Sequence, residues 1–212
     1  MPAPTIDSIV VGDAPESWRL AGFTVDDDGT CRIGKVSVEL VGRERGKRIL
    51  SWTLRDVTAA TGDDIDGLAT AVSTRSPATP AEHANGSLLI DHVVIMSPDV
   101  DRTMAALGDA GITALRTRDV PPEQYGFEAR QVFFRLGEVI LELIGGKQPT
   151  GDGPAAFFGL AHTVADLHAA AATLGPLLPN VKDAVQPGRQ IATLRHKDVD
   201  MSVATAFMSP DL

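Results

Sequence analysis

One feature constrains this chain more than any other: a strand–helix–strand pattern that repeats along it. Three segments open with a short run of apolar and β-branched residues, TIDSIVV from Thr5, LIDHVVI from Leu89 and FGLAHTV from Phe158. Runs of this kind predict β-strands. Each is followed by a stretch with helical features, of which the clearest begins at Asp99, a good helix cap. The repetition therefore predicts one supersecondary unit used several times.

The segments also close alike. The sequence GKVSVELVG from Gly34 aligns without a gap with GEVILELIG from Gly137, which places Glu39 over Glu142. In the third segment the closing strand is expected over 201–208. We thus predict three copies of a strand–helix–three-strand (βαβββ) module, at roughly 4–43, 88–146 and 156–209.

These copies predict an α+β fold in which βαβββ modules form a curved mixed sheet. The sheet would cup a small-molecule site, with the helices on its outer face, because ligand pockets favour interfaces between modules. The second and third copies are joined closely and are expected to pair. The first copy would pack alongside, or pair across a two-fold axis with a second chain, so a homodimer is expected.

The chain between the first two copies is expected to hold an extra strand at 47–57, a turn, and a possible short helix at 64–71. A stretch rich in Ser, Pro, Ala and Gly, 73–86, is typical of a linker. The predicted organisation is therefore an N-terminal module with an extra strand (1–72), a linker (73–86) and a pair of modules (87–212).

Composition excludes several classes of partner. The chain of 212 residues has 28 acidic and 19 basic side chains, a formal net charge of -9, which argues against nucleic acid and anionic membranes. No apolar run reaches the roughly 18 residues of a membrane helix, and the N-terminus lacks a signal-peptide pattern. The single cysteine, Cys31, excludes an intrachain disulfide and a cysteine metal cluster. A cytoplasmic protein with a small-molecule ligand is expected.

The second and third copies resemble the vicinal oxygen chelate superfamily, which includes glyoxalase I, bleomycin-resistance proteins, extradiol dioxygenases and methylmalonyl-CoA epimerase. The resemblance rests on IDHVVI, on RQVFFRLGEVILELIGG, and on GLAHTVADLHAAAATL in the third copy. It covers 86–212 well and 1–57 only weakly. It implies the cupped fold, but not one reaction, because the same fold serves lyases, isomerases, dioxygenases and binding proteins without catalysis.

The resemblance also implies a divalent metal such as Zn, Ni, Mn or Fe. In metal-dependent members the ligands come from the first and last strands of two paired modules. In the second copy the matching positions carry His92 and Glu142. In the third copy they carry Gly159 and, on the closing strand, Ala204 or Thr205. A pair of the second and third copies thus keeps two of four ligands.

Pairing of the first and second copies would give a larger ligand set. It would bring together Glu39, His92 and Glu142, with Ser8 or water as a fourth ligand. The long segment between these copies makes that pairing the less expected one.

Each candidate ligand also has a simpler interpretation. His92 is equally typical of a histidine in the protein interior. Glu142 lies in an apolar strand and needs a partner if it is buried; Arg130 or Arg135 could supply it. For Glu39 the corresponding partners are Arg32 or Lys35. His162 should point to the opposite face of its strand and belong to the core.

Two loops carry further candidate ligand-binding residues. The segment 120–131 is expected to lie over the cup, with Gln124, Tyr125, Phe127 and Gln131. In the matching loop of the third copy, Gln186 and Arg189 could bind a carboxylate or carbonyl group. The alternative is that the Arg-Gln pairs simply begin strands and face solvent.

Two function classes follow. The first is a metal-dependent lyase, isomerase or dioxygenase with His92 and Glu142 as ligands. In it, Glu142 or Glu39 would be the acid or base that moves a proton next to a carbonyl. The second is a metal-free binding protein of the bleomycin-resistance kind, or a metal-independent enzyme, which uses the same cup.

Overall fold

The computed structural model describes residues 3–58 and 63–210. It is an α+β fold with two mixed β-sheets, one of six strands and one of eight. The six-stranded sheet has the strand order β2-β3-β1-β4-β6-β5. Its elements are β1 (Thr5–Val11), α1 (Pro15–Leu20), β2 (Thr30–Ile33), β3 (Val36–Leu40), β4 (Ile49–Arg55), β5 (Asp64–Ile65) and β6 (Leu68–Val72).

The eight-stranded sheet has the order β12-β13-β14-β11-β7-β10-β9-β8. The second copy supplies β7 (Ser87–Met96), α2 (Val100–Asp109), β8 (Ala114–Val120), α3 (Pro122–Tyr125), β9 (Ala129–Leu136) and β10 (Val139–Gly146). The third copy supplies β11 (Ala156–Val164), α4 (Leu167–Leu174), β12 (Lys182–Asp183), β13 (Gln190–Thr193) and β14 (Ala204–Met208). Because β7 pairs antiparallel with β11, the predicted pairing of the second and third copies is confirmed.

The first copy packs alongside the other two, as one of the two expectations had it, and its own strand pairing lies within the small sheet. Its opening strand β1 runs antiparallel to β4, and β4 runs parallel to β6. In the large sheet β7 and β11 are antiparallel and β11 runs parallel to β14. The strands β4, β5 and β6 therefore form a fourth, shortened module, whose described residues include no helix between β4 and β5. The prediction that the first copy pairs with the second is wrong. Because β1 pairs with β3 and β4 of the same chain, the first copy does not need a second chain to pair with.

The short helix expected at 64–71 is also wrong. The structure has a hairpin there, β5 and β6, whose turn residues Asp66 and Gly67 take left-handed backbone angles (φ 51° and 86°). An Asp-Gly pair favours this tight turn between two antiparallel strands. The turn expected before Asp64 lies outside the described residues. The expected linker 73–86 contains neither helix nor strand.

One apolar core joins the two sheets. A single cluster of buried residues includes Ile9 and Val38 of the small sheet, Val93 of the large sheet, and Leu107 of α2. Trp52 of β4 packs edge-on against Phe157 of β11, with ring centroids 5.3 Å apart. The small sheet and the helices α1, α2 and α4 thus pack on one face of the large sheet, and its other face, with α3 beside it, is left to form a cup.

None of the helices in the described ranges could span a membrane.

Candidate functional site

The free face of the eight-stranded sheet carries a cavity of about 660 Å³ between the second and third copies. Its walls are largely apolar, with Val94 and Phe133 from the second copy and Leu160, Ile191 and Met208 from the third. A cavity of this volume suits a small organic molecule. The position of the cavity agrees with the cup predicted from the repeat.

Polar groups line the cavity from both copies: the third copy contributes Lys182, Asp183, Gln186, Thr193 and Thr205, and the second copy contributes a set that centres on Glu142. Glu142 of β10 faces Val94 of β7 and Phe133 of β9 across the sheet, and His92 lies opposite Ile140. His92 and Glu142 are therefore diagonal neighbours on one face, because side chains two residues apart share a face of a strand.

Glu142 is held by a chain of hydrogen bonds. Gln131 Nε2 donates to Glu142 Oε1 and also to the hydroxyl of Tyr125, at 2.7 Å. Arg118 Nε donates to Gln131 Oε1, again at 2.7 Å, which orients the amide. Arg130 and Arg135, the partners expected for Glu142, do not bond to it in the described structure; Arg130 instead pairs with Asp101.

Burial raises the pKa of the Glu142 carboxyl, although the charges of His92 and Arg118 and the hydrogen bond from Gln131 oppose that effect. A carboxyl group with a raised pKa can exchange protons closer to neutral pH. Glu142 is thus suited both to hydrogen-bonding a ligand and to proton transfer.

His92 is held by its neighbour in the sequence. Its Nδ1 lies 2.5 Å from Asp91 Oδ1. The register of β7 against β11 shifts at this point, from His92 opposite Ala161 to Ile90 opposite His162, so Asp91 is an extra residue in its strand. Such a bulge re-aims side chains, which explains how two consecutive strand residues come into contact. His92 lines the cavity, and its Nε2 bonds to no described residue.

Asp91 in turn is bound from the third copy. Arg189 Nη2 and the hydroxyl of Thr163 both donate to Asp91 Oδ2. Burial favours the neutral acid, yet the hydrogen bonds from His92, Arg189 and Thr163 outweigh it and hold the pKa of Asp91 well below its ordinary value. Arg189 therefore forms a buried ion pair with Asp91.

The remaining predicted site residues fall into two groups. Tyr125, Gln131 and Gln186 line the cavity. Phe127 is 41% exposed and packs near Tyr125 without lining the cavity, and the side chain of Gln124 lies outside the described residues. Three residues that the sequence analysis missed also contribute: Asp91, Arg116 and Arg118.

Glu39 does not join His92 and Glu142. It lies on β3 of the other sheet, and its carboxylate is 3.7 Å from Arg75 rather than paired with Arg32 or Lys35. His162 packs in the core between the rings of Trp18, Phe23 and Phe207, on the face away from the cup, as its spacing predicted.

Comparison with known proteins finds a similarity over the segment that carries this site. Residues 91–176 match the family model described as the glyoxalase/bleomycin resistance protein/dioxygenase superfamily. This segment of the chain is similar to that superfamily. The match begins at Asp91 and takes in His92, Gln131 and Glu142, so it covers the part of the cup that carries the polar cluster. No curated protein matches the sequence.

Solved structures are similar to the chain at low sequence identity. A triple mutant of 4-hydroxymandelate synthase from Streptomyces coelicolor is 14% identical, with a TM-score of 0.65 over 99% of this chain and 93% of that one. A xylose isomerase-like TIM barrel/4-hydroxyphenylpyruvate dioxygenase fusion protein is 13% identical, with a TM-score of 0.62 over 98% of this chain and 50% of that one. Methylmalonyl-CoA epimerase from Mycobacterium tuberculosis is 17% identical, with a TM-score of 0.47 over 60% and 91%.

The residues of the cup do not fit the divalent metal that the superfamily implies. Protein metal sites normally use three or four side-chain ligands. Here the second copy offers His92 and Glu142, whereas the third copy has Gly159 paired with Ala204 at the matching positions. Within the described ranges, no three His, Cys, Asp or Glu side chains are grouped closely enough to hold a metal ion.

Proposed function

We propose that this protein binds a small organic molecule in the cup between its second and third copies, and that it does so without a resident metal. One observation supports this above others. The cavity wall is largely apolar, and on its second-copy side Gln131 bonds to both Glu142 and Tyr125, with His92 beside them; these four residues are defined as the polar cluster. Charged and polar residues also line the cavity elsewhere, among them Arg116, Arg118, Lys182, Asp183 and Gln186. A few convergent polar groups on an apolar wall are typical of small-molecule sites.

The cluster is suited to a group that both donates and accepts hydrogen bonds. Glu142 presents carboxyl oxygens, Tyr125 a hydroxyl and His92 a ring nitrogen. A primary amide on an apolar chain matches this arrangement. The apolar body would lie on Val94, Leu160 and Met208, which line the cavity from both copies.

Octanamide is a suitable probe, because it joins an amide to a short apolar chain. Its dissociation constant can be measured by calorimetry. Replacing Glu142 with Ala should weaken binding about tenfold, since a hydrogen bond to a charged group contributes about 1.5 kcal/mol or more. The matched control is His168→Ala, on the exposed surface of α4. Equal weakening in both variants, or no saturable binding of octanamide, would refute the proposal.

A second candidate function is proton transfer next to a carbonyl, again without a metal. The specific observation is the position of Glu142, whose pKa is raised, beside a His92 whose ring is oriented by Asp91. Proton abstraction would appear as exchange of deuterium from solvent into a bound carbonyl compound, followed by NMR. Exchange lost in Glu142→Gln would support catalysis, whereas tight binding without exchange supports a binding protein.

A further inference from the structure

A second cavity adjoins the cup. It has a volume of about 550 Å³ and shares His92, Arg116, Phe133 and Gln186 with the first, so the two form one continuous groove along the sheet. The strand pairings give its direction. On β9, Gln131, Phe133 and Arg135 lie on the same face, and Arg135 stands in one cross-strand row with Ile140 and His92. The four-residue step along β9 from Gln131 to Arg135 extends ~13 Å, which gives the length of the groove in this direction.

The second cavity has its own chemical character. Its rim exposes two large apolar side chains, Leu88 at 50% and Leu115 at 63%. Exposed apolar groups beside a cavity are a mark of ligand contact. They extend the apolar surface of the cup beyond His92, to the side away from Gln131.

Three arginines stand along the second-copy wall of this groove. Arg118 lies beside the polar cluster, Arg116 stacks its guanidinium 4.7 Å from the ring centre of Phe133, and Arg135 lines the second cavity. None of the three forms an ion pair with a carboxylate of the described residues. Two carboxylates also line the second cavity: Asp91, which is paired with Arg189, and Glu138, which accepts from the backbone of Lys35. Arg116, Arg135 and Arg189 still outnumber them, so in a chain of net charge -9 this cavity is a locally positive place for an anion.

We infer that the ligand is an elongated molecule with two ends, a neutral polar group at the cluster of the cup and a carboxylate in the second cavity against Arg135 and Arg116. The apolar middle of the molecule would cross the row formed by His92 and Ile140. Arginine suits the carboxylate end, because its planar guanidinium binds a carboxylate through two parallel hydrogen bonds. This inference rests on the proposed function and adds to it the length and charge of the ligand.

Three amides test the carboxylate site in the second cavity separately from binding in the cup. Suberamate carries an amide at one end and a carboxylate at the other, octanamide has the same chain without the carboxylate, and succinamate has both groups on a chain too short to span the groove. Suberamate should bind about fivefold more tightly than octanamide at low salt, as an exposed ion pair of favourable geometry allows. Succinamate should bind more weakly than both.

Arg135→Gln is the decisive variant. Arg135 is exposed, so the variant should fold, and it should bind suberamate and octanamide equally while its affinity for octanamide is unchanged. The control is Arg130→Gln, on the opposite face of β9, where the preference for suberamate should persist. If the native protein binds suberamate and octanamide equally, or if the preference for suberamate persists in Arg135→Gln, the carboxylate site is wrong. The proposed binding of a small molecule in the cup would still stand. If neither amide binds, the proposed function fails and the inference fails with it.

Discussion

The ring of His92 contacts the carboxylate of Asp91, the residue just before it in the chain, at 2.5 Å. Adjacent residues of a regular strand point to opposite faces, so this contact depends on the bulge at Asp91. The carboxylate also binds Arg189 of the third copy. The orientation of a candidate site residue in one module is thus set by a buried arginine from the other.

Replacing Arg189 should lower the free energy of unfolding. In Arg189→Met the carboxylate of Asp91 would stay buried without its main partner, and breaking one side of a buried ion pair costs about 3 kcal/mol or more. Urea denaturation should show that decrease in the free energy of unfolding. The control is Arg195→Met, at an exposed position next to β13. A similar, small change in both variants would contradict the structural role given to Arg189.

His162 should make stability dependent on pH. The side chain is fully buried and neither ring nitrogen has a hydrogen-bond partner among the described residues. Burial lowers the pKa of His162 to about 3, with a further decrease from the charge of His83 and a small increase from Asp91. The unfolded chain then binds a proton that the folded chain does not, between pH 6.5 and about 3, so stability falls as the pH falls through that range.

The test is His162→Leu, which keeps the core apolar and removes the titrating group. Relative to the native protein, the variant should gain about 2 kcal/mol in unfolding free energy between pH 6.5 and pH 5. Denaturation curves at the two pH values give this difference. A constant difference between the variant and the native protein would show that the histidine is not buried in its neutral form.

Metal content gives a third prediction. With only His92 and Glu142 on the cup face at the expected ligand positions, protein purified without chelators should contain far less than one divalent metal ion per chain. Elemental analysis measures this directly. A full equivalent of metal that disappears in both His92→Ala and Glu142→Gln would instead support a metal centre completed by other ligands.

A fourth prediction concerns the division of the chain. Strands of the large sheet all lie within 87–208, but the core on its back face is shared with the small sheet. A fragment of residues 85–212 would expose Val93, Ile95 and Phe157. We therefore expect it to self-associate and to bind a hydrophobic dye, as measured by gel filtration and fluorescence. A monomeric fragment with cooperative unfolding would show that 87–212 folds independently.

The sequence predicts the modules well, because alternating and helical spacing survive in each of the three copies. The fourth, shortened module escaped prediction for a physical reason. Its described residues include no helix between β4 and β5, and the spacing of Ile65, Leu68 and Ala69 suits a helix as well as a short hairpin. The Asp66-Gly67 pair was the signal that could have identified the turn.

The site is only partly predictable. His92 and Glu142 follow from their positions on the repeated strands, and Gln131, Tyr125 and Gln186 from the two loops. The contact of Asp91 with His92 cannot be predicted from spacing. Regular alternation would place the two side chains on opposite faces of β7, and only the bulge brings them together. The same bulge recurs in β1, where the register skips Asp7 and this carboxylate binds Arg55 and Arg75. The repeated Ile-Asp pair at both positions is the sequence feature that marks it.

Titration of the isotope-labelled protein with octanamide, in buffer that contains a metal chelator, tests the proposed site most directly. NMR shifts of side-chain methyl groups report where the ligand lies. A metal-free cup between the two copies predicts saturable shifts at Val94, Leu160 and Met208, with none at Leu54 or Val38 in the core of the small sheet. Shifts confined to other parts of the protein, or binding abolished by the chelator, would contradict it.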